Sequence, residues 1–156
     1  MNIIKGNILN CEENILVHQV NHQGVMGAGL ALQIKKAFPF AFDRYLDVCK
    51  TLSWNVIQEA GAVDFVGCKS ANNSEFYIAN MFGQRFYGNL HEKADYGAME
   101  TGLKTIFRFS FRNKFSVAIP YAIGCGLGKG DWGIVSKMIE DIFENKVEYK
   151  VYKLIN

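Results

Sequence analysis

Two stretches of this 156-residue chain concentrate glycine: NHQGVMGAGLALQIKKAF at 21–38 and AIGCGLGKGDWGIV at 122–135. Glycine loses more freedom on folding than any other residue, so a cluster implies positive φ or close approach of the backbone to something bound. Both clusters lead into helix-periodic apolar sequence, Leu30, Ala31, Ile34 and Phe38 after the first and Val135, Met138, Ile139 and Ile142 after the second. A glycine loop that opens a helix presents bare N–H groups, the chemistry that holds phosphate oxygens. Two of them, in matching contexts, suit a diphosphate gripped from both sides. Tight turns alone would also use glycine, and a single loop would be read that way first. The spacing differs from the usual nucleotide fingerprints. GVMGAG is G-x-x-G-x-G rather than G-x-G-x-x-G, and no G-K-[ST] follows either loop, which disfavours a dinucleotide fold or a kinase-type loop.

The elements that must carry these loops follow from local pattern. Branched or aromatic runs at 2–6, 15–20, 62–68, 76–82, 116–121 and 148–154 read as strands. Helical periodicity covers 28–38, 40–52 (set off by Pro39), 95–112 and 132–145. In the third helix Tyr96, Met99, Leu103 and Ile106 share a face. The alternation predicts an α/β sandwich, with 69–75 as a hairpin-like turn between two strands. In such a sheet, loops leaving the carboxyl ends of the strands converge on one edge, where ligands settle.

Length and composition bound the rest. With 49% apolar and 21% charged residues, the chain suits one domain over 1–156. A net charge of +2, with the two signs interspersed, gives no reason to expect a nucleic-acid partner. Cys11, Cys49, Cys68 and Cys125 form no C-x-x-C pair and support neither a zinc site nor a disulfide framework. With no signal-like apolar segment at the start, this leads us to expect reduced thiols in a cytoplasm. The apolar runs fall short of a membrane span. No residue set asks for a cofactor or metal, and the oligomeric state stays open.

The residues also carry a family resemblance along nearly the whole chain. KGNIL near the start, ILVHQVNHQGVMGAGLALQIKKAFP and IPYAIGCGLGKGDWGIV resemble, in order, the opening motif, first phosphate loop and second phosphate loop of the macro domain family. GVMGAGLA with IGCGLG is similar to the branch holding the terminal ADP-ribose protein glycohydrolases and the antitoxin-type macro domains. The resemblance implies a three-layer α/β/α fold around a mixed, mostly parallel sheet of about six strands. It implies ADP-ribose, free or attached to a substrate, as the partner; nucleic acid enters only as an ADP-ribosylated substrate. Asn7 falls where the family has the acidic residue that recognises adenine, and Asn21 matches the residue that bonds the distal ribose. A turn role after Gly6 for Asn7, and an Asx turn for Asn21, are the competing readings. Backbone contacts to the ribose and diphosphate fall on Gly24, Val25, Met26, Gly27, Ala28 and Gly29, then on Ile123, Gly124, Cys125, Gly126 and Leu127, with Ile8, Leu30 and Gly128 beside them. Backbone donors need no particular side chain, which would account for Met26 and Cys125 at such positions.

Hydrolysis of an ADP-ribosyl bond needs a nucleophile or a directed water at C1 of the distal ribose. The branch's nucleophilic lysine follows the strand FYIANMF; here that place reads GQR, so Gln84 stands there and Arg85 follows. The branch's acidic partner falls on Gly128. Two hypotheses remain: a hydrolase whose water is positioned by Asn21, Gln84 or Asp131 and activated in part by the substrate's own phosphate, without a metal, or a non-catalytic reader. An interaction scaffold with a vestigial pocket is a third class. Asp131 precedes an apolar helix, so capping competes with chemistry there. Asn80, Gln84, Arg85, Tyr87, His91 and Tyr96 lie between a strand end and a helix, where side chains can overhang a crevice. Their presence tips the reading toward an enzyme. His18 is expected to face the core and His22 to flank the ribose.

Overall fold

The computed structural model describes residues 1–69, 74–87 and 94–155. Six strands form one sheet in the order β1-β6-β5-β2-β4-β3, with β1 Ile3–Lys5, β2 Ile15–Val20, β3 Val63–Lys69, β4 Glu75–Phe82, β5 Val117–Pro120 and β6 Tyr149–Lys153. Every neighbouring pair is parallel except β3 and β4. The helices are α1 Gly29–Ala37, α2 Pro39–Thr51, α3 Trp54–Glu59, α4 Tyr96–Asn113 and α5 Trp132–Phe143, and a 3₁₀ turn covers Ile8–Asn10. This is the expected three-layer α/β/α arrangement with a mixed, mostly parallel sheet. The short α3 was not read from sequence, although Ser53 caps it by accepting from Val56 N at 3.2 Å. The 69–75 turn lies mostly outside the described residues; its flanks pair antiparallel from Val63↔Met81 to Lys69↔Glu75.

Alternation along β2 sorts the two faces. Ile15 and Val17 join Met99, Leu103 and Ile106 of α4 and Val135, Ile139 and Ile142 of α5 in one core. Leu16 points the other way, to Ile34 of α1 and Ala41 of α2, while Val20 meets Tyr45 and Val48 of α2 and Ile57 of α3. A strand covered on both faces needs a near-continuous apolar run, and ILVHQV is one. At the start of β2, Glu13 accepts from Lys150 Nζ and Tyr152 Oη, each at 2.7 Å, tying the β1–β2 connection to β6. Burial pushes its carboxyl up, but the hydrogen bonds from Lys150 and Tyr152 outweigh that and hold it below the usual glutamate range.

His18 faces the core, as expected. It is 1% exposed, and Nε2 donates to Asn80 Oδ1 at 2.6 Å. Asn80 is therefore a correction: it is a fully buried β4 residue paired in register with His18, and it does not overhang a crevice. His18 Nδ1 and Asn80 Nδ2 have no partner among the described residues. Burial pushes the imidazole down to about 4 from 6.5. The unfolded chain thus takes up a proton at higher pH than the folded one. Stability from this group is complete above pH 6.5 and declines as pH falls to about 4, by about 3 kcal/mol in all. Urea unfolding at pH 7 and 4.5 should show most of that loss in the parent, and His18→Gln should remove that share of the pH slope. Equal slopes would refute it.

Candidate functional site

Both glycine loops leave the carboxyl edge of the sheet, one after β2 and one after β5. β2 runs into α1 on one face, and β5 into α5 on the other. Adjacent parallel strands whose connections diverge to opposite faces form the topological switch point at which open α/β sheets bind ligands. The strand pairing also differs there. β2 pairs with β4 as far as Val20↔Phe82, and β5 with β6 as far as Pro120↔Tyr152. Between β2 and β5 the ladder stops at Leu16↔Ala118. The strands stop pairing toward the edge where the glycines sit.

The first loop holds its shape from below. Gly24 and Gly29 take left-handed φ of 73° and 56°. The side chain of Met26 is 2% exposed and lies in the core with Val20, Tyr45 and Phe82, so it anchors the loop and is not a tolerated spectator. Gly27, Ala28 and Gly29 are exposed. Ala28 caps α1 without a side-chain hydrogen bond, whereas Ser53, Asp95 and Asp131 cap α3, α4 and α5. The first N–H groups of a helix have no intrahelical acceptor. Those of Gly29 and Leu30, with Gly27 and Ala28 before them, have no partner among the described residues.

The second loop closes on itself through Cys125 N to Ala122 O at 2.9 Å, Lys129 N to Gly126 O at 3.0 Å and Gly130 N to Gly124 O at 2.9 Å. Gly126 and Leu127 N–H groups have no partner among the described residues, and both residues are exposed. Ile123 is buried beneath them. The glycines divide by cause. A Cβ on Gly128 would stand 2.7 Å from Gly124 O, so internal packing requires glycine there. A Cβ on Gly126 would meet nothing within 4 Å, and its φ is not left-handed. Internal packing gives no reason for glycine at 126.

Beneath the parting, Gln19 Nε2 donates to Gln84 Oε1 at 3.3 Å, and Gln84 Nε2 donates to Phe86 O at 2.5 Å. Both ends of the Gln84 amide are thus held in the wall. Gln19 Oε1 is buried without a partner beside Gly83 and Gly124. Sequence reasoning missed Gln19, although a glutamine in the apolar run ILVHQV was a signal. Asn21 Oδ1 accepts from Gln23 N at 2.9 Å, the Asx turn, and Nδ2 donates to Val25 O at 2.9 Å. Asn7 Oδ1 accepts from Leu9 N at 3.0 Å and caps the Ile8–Asn10 turn, with Ile8 buried. Asp131 Oδ1 accepts from Gly133 N at 2.7 Å, so capping is its visible role; Oδ2 has no partner among the described residues. His22 turns toward α2 and α3, with Nε2 2.8 Å from Leu52 O and its ring beside Trp54 and Phe82. His91 lies outside the described residues. Burial pushes the Cys125 thiol up, and Asp131 adds to this, so the geometry does not favour a thiolate.

Residues 17–139 match the Macro domain family, and the chain belongs to it. It is 31% identical over 160 residues to a DNA ADP-ribosyl glycohydrolase of Thermus aquaticus, covering 98% of this chain and 41% of that one. The chain thus spans well under half the length of that relative. An ADP-ribose 1″-phosphate phosphatase of Saccharomyces cerevisiae is 31% identical over 90 residues, 56% of this chain and 48% of that one. Among solved structures, the macrodomain of Mycobacterium tuberculosis DarG is similar at a TM-score of 0.81 and 26% identity, over 97% of this chain and 95% of that one.

Proposed function

We propose that this macro domain binds ADP-ribose across the parting of β2 and β5 and hydrolyses the bond between the distal ribose and a modified macromolecule, ADP-ribosylated DNA first among the candidates. The observation that carries the reading is the pair of N–H rows without a partner among the described residues, Gly27 to Leu30 on one side and Gly126 with Leu127 on the other, at the switch point. Two rows of neutral donors match a diphosphate that carries two charges on closely spaced oxygens. A glycosyl linkage is favoured over a phosphomonoester because the likeness to the DNA ADP-ribosyl glycohydrolase extends over 98% of the chain, against 56% for the phosphatase.

In this reading a water oxygen bonds to C1 of the distal ribose as the bond to the leaving group breaks; the leaving group departs with the bonding pair and is protonated from solvent, and the water's proton passes to an acceptor. Of the three sequence candidates, the amides of Asn21 and Gln84 cannot take a proton, and Gln84 is held at both ends. Asp131 retains an open carboxylate oxygen and is assigned that role, assisted by the substrate's phosphate. The test is to incubate the protein with ADP-ribosylated DNA, ADP-ribosylated protein, O-acetyl-ADP-ribose and ADP-ribose 1″-phosphate. Release of ADP-ribose from the modified DNA is expected. Tight ADP-ribose binding without turnover of any of the four would establish instead a reader, the alternative favoured by glutamine at position 84.

A further inference from the structure

The first glycine loop is held by a residue of α2 that no sequence pattern singled out. Tyr45 is fully buried, its ring packed between Phe42 and Phe82 at centroid distances of 6.1 and 6.0 Å. Its hydroxyl accepts from Val25 N at 3.1 Å and lies 2.7 Å from Asn21 Oδ1 and 2.9 Å from Asn21 O. The Asn21 amide is oriented without ambiguity, because its oxygen receives a main-chain N–H, from Gln23, and its nitrogen faces a main-chain carbonyl, of Val25. An amide oxygen has two lone pairs. Gln23 N takes one, and the Tyr45 phenol, whose single proton has Asn21 Oδ1 as the nearer of two acceptors at 2.7 Å against 2.9 Å for Asn21 O, takes the other.

We infer that Tyr45 is a positioning residue, whose hydroxyl locks the Asn21 amide so that Asn21 meets the ligand only as a donor, through its second Nδ2 proton, and so selects an oxygen acceptor such as a ribose hydroxyl. The inference rests on the reading of the crevice as an ADP-ribose site and adds to it the polarity of one contact and its cause. Without the phenol, the amide loses one of the three hydrogen bonds that oppose its rotation, and Oδ1 turns outward more readily. An outward oxygen would accept from the ribose hydroxyls or capture the water. With the phenol in place it cannot orient a water as acceptor, so that task lies elsewhere. Burial pushes the phenol well above its ordinary range, so the donor persists at any physiological pH.

Tyr45→Phe removes the hydroxyl and keeps the ring. Calorimetry with ADP-ribose should show Kd about tenfold weaker in this variant, and less than about twofold weaker when the change is made in an Asn21→Ala background. The Asn21 side-chain amide resonances, followed by ¹H–¹⁵N NMR on the ligand-free protein, should shift in Tyr45→Phe. An unchanged Kd in Tyr45→Phe overturns the inference. So does a full tenfold loss in the Asn21→Ala background, which would mean that Tyr45 acts through the loop alone. If Asn21→Ala itself binds as tightly as the parent, the donor assignment falls while ADP-ribose binding stands. If the parent does not bind ADP-ribose, the functional reading fails, and unmoved Asn21 resonances would separately refute the phenol lock.

Discussion

Gly126→Leu is expected to weaken ADP-ribose binding about a thousandfold, the size expected from losing two charge-assisted hydrogen bonds, without lowering the melting temperature. Affinity and stability diverge here for separate physical reasons. A Cβ at 126 meets no protein atom within 4 Å and the backbone is not left-handed, so the folded protein has room for a side chain there. That room is where the proposal places a phosphate, beside the unpartnered N–H groups of Gly126 and Leu127. Gly128→Ala is the internal contrast. Its Cβ would stand 2.7 Å from Gly124 O, so it should disturb the loop and the melting temperature even with no ligand present. Calorimetry and thermal unfolding on both variants check the pair. Undiminished affinity in Gly126→Leu would remove the second loop from the binding site.

The second large effect is on turnover. Asp131→Asn keeps an oxygen to cap α5 through Gly133 N and replaces the open carboxylate oxygen by an amide nitrogen. The expected result is kcat lower by about a thousandfold, within the range for loss of a general base, with ADP-ribose affinity and melting temperature held. Such a split isolates chemistry from architecture, which alanine would not do, because losing the cap destabilises α5 by about 1 kcal/mol. Unchanged kcat in Asp131→Asn would make the residue a cap only and leave the water to the substrate's own phosphates. Loss of affinity together with kcat would mean that the α5 N-terminus shapes the second loop.

The sequence by itself determined every strand and every α-helix but α3, together with the positions of the two glycine loops. Periodicity is local, so the apolar faces of α4 and α5, the run of β2 and the two glycine loops were legible residue by residue. So was the cap at Asp131, whose partner lies two residues away. The folded chain decided everything that joins distant segments. Strand order placed β2 beside β5, and their pairing ends early, at Leu16↔Ala118. Asn80, read from its place after a strand as a crevice residue, is buried because it pairs with His18, 62 residues earlier. Met26 was read as loop backbone, yet its side chain is core, because α2 and α3 fold over the same face. Tyr45 and Asn21 are 24 residues apart, and Gln19 and Gln84 are 65 apart. No local spacing encodes such pairs, since each forms only when separately folded elements dock on a common sheet. Where the glycines cluster was therefore readable from the chain, while how the side chains around them are aimed was set by packing.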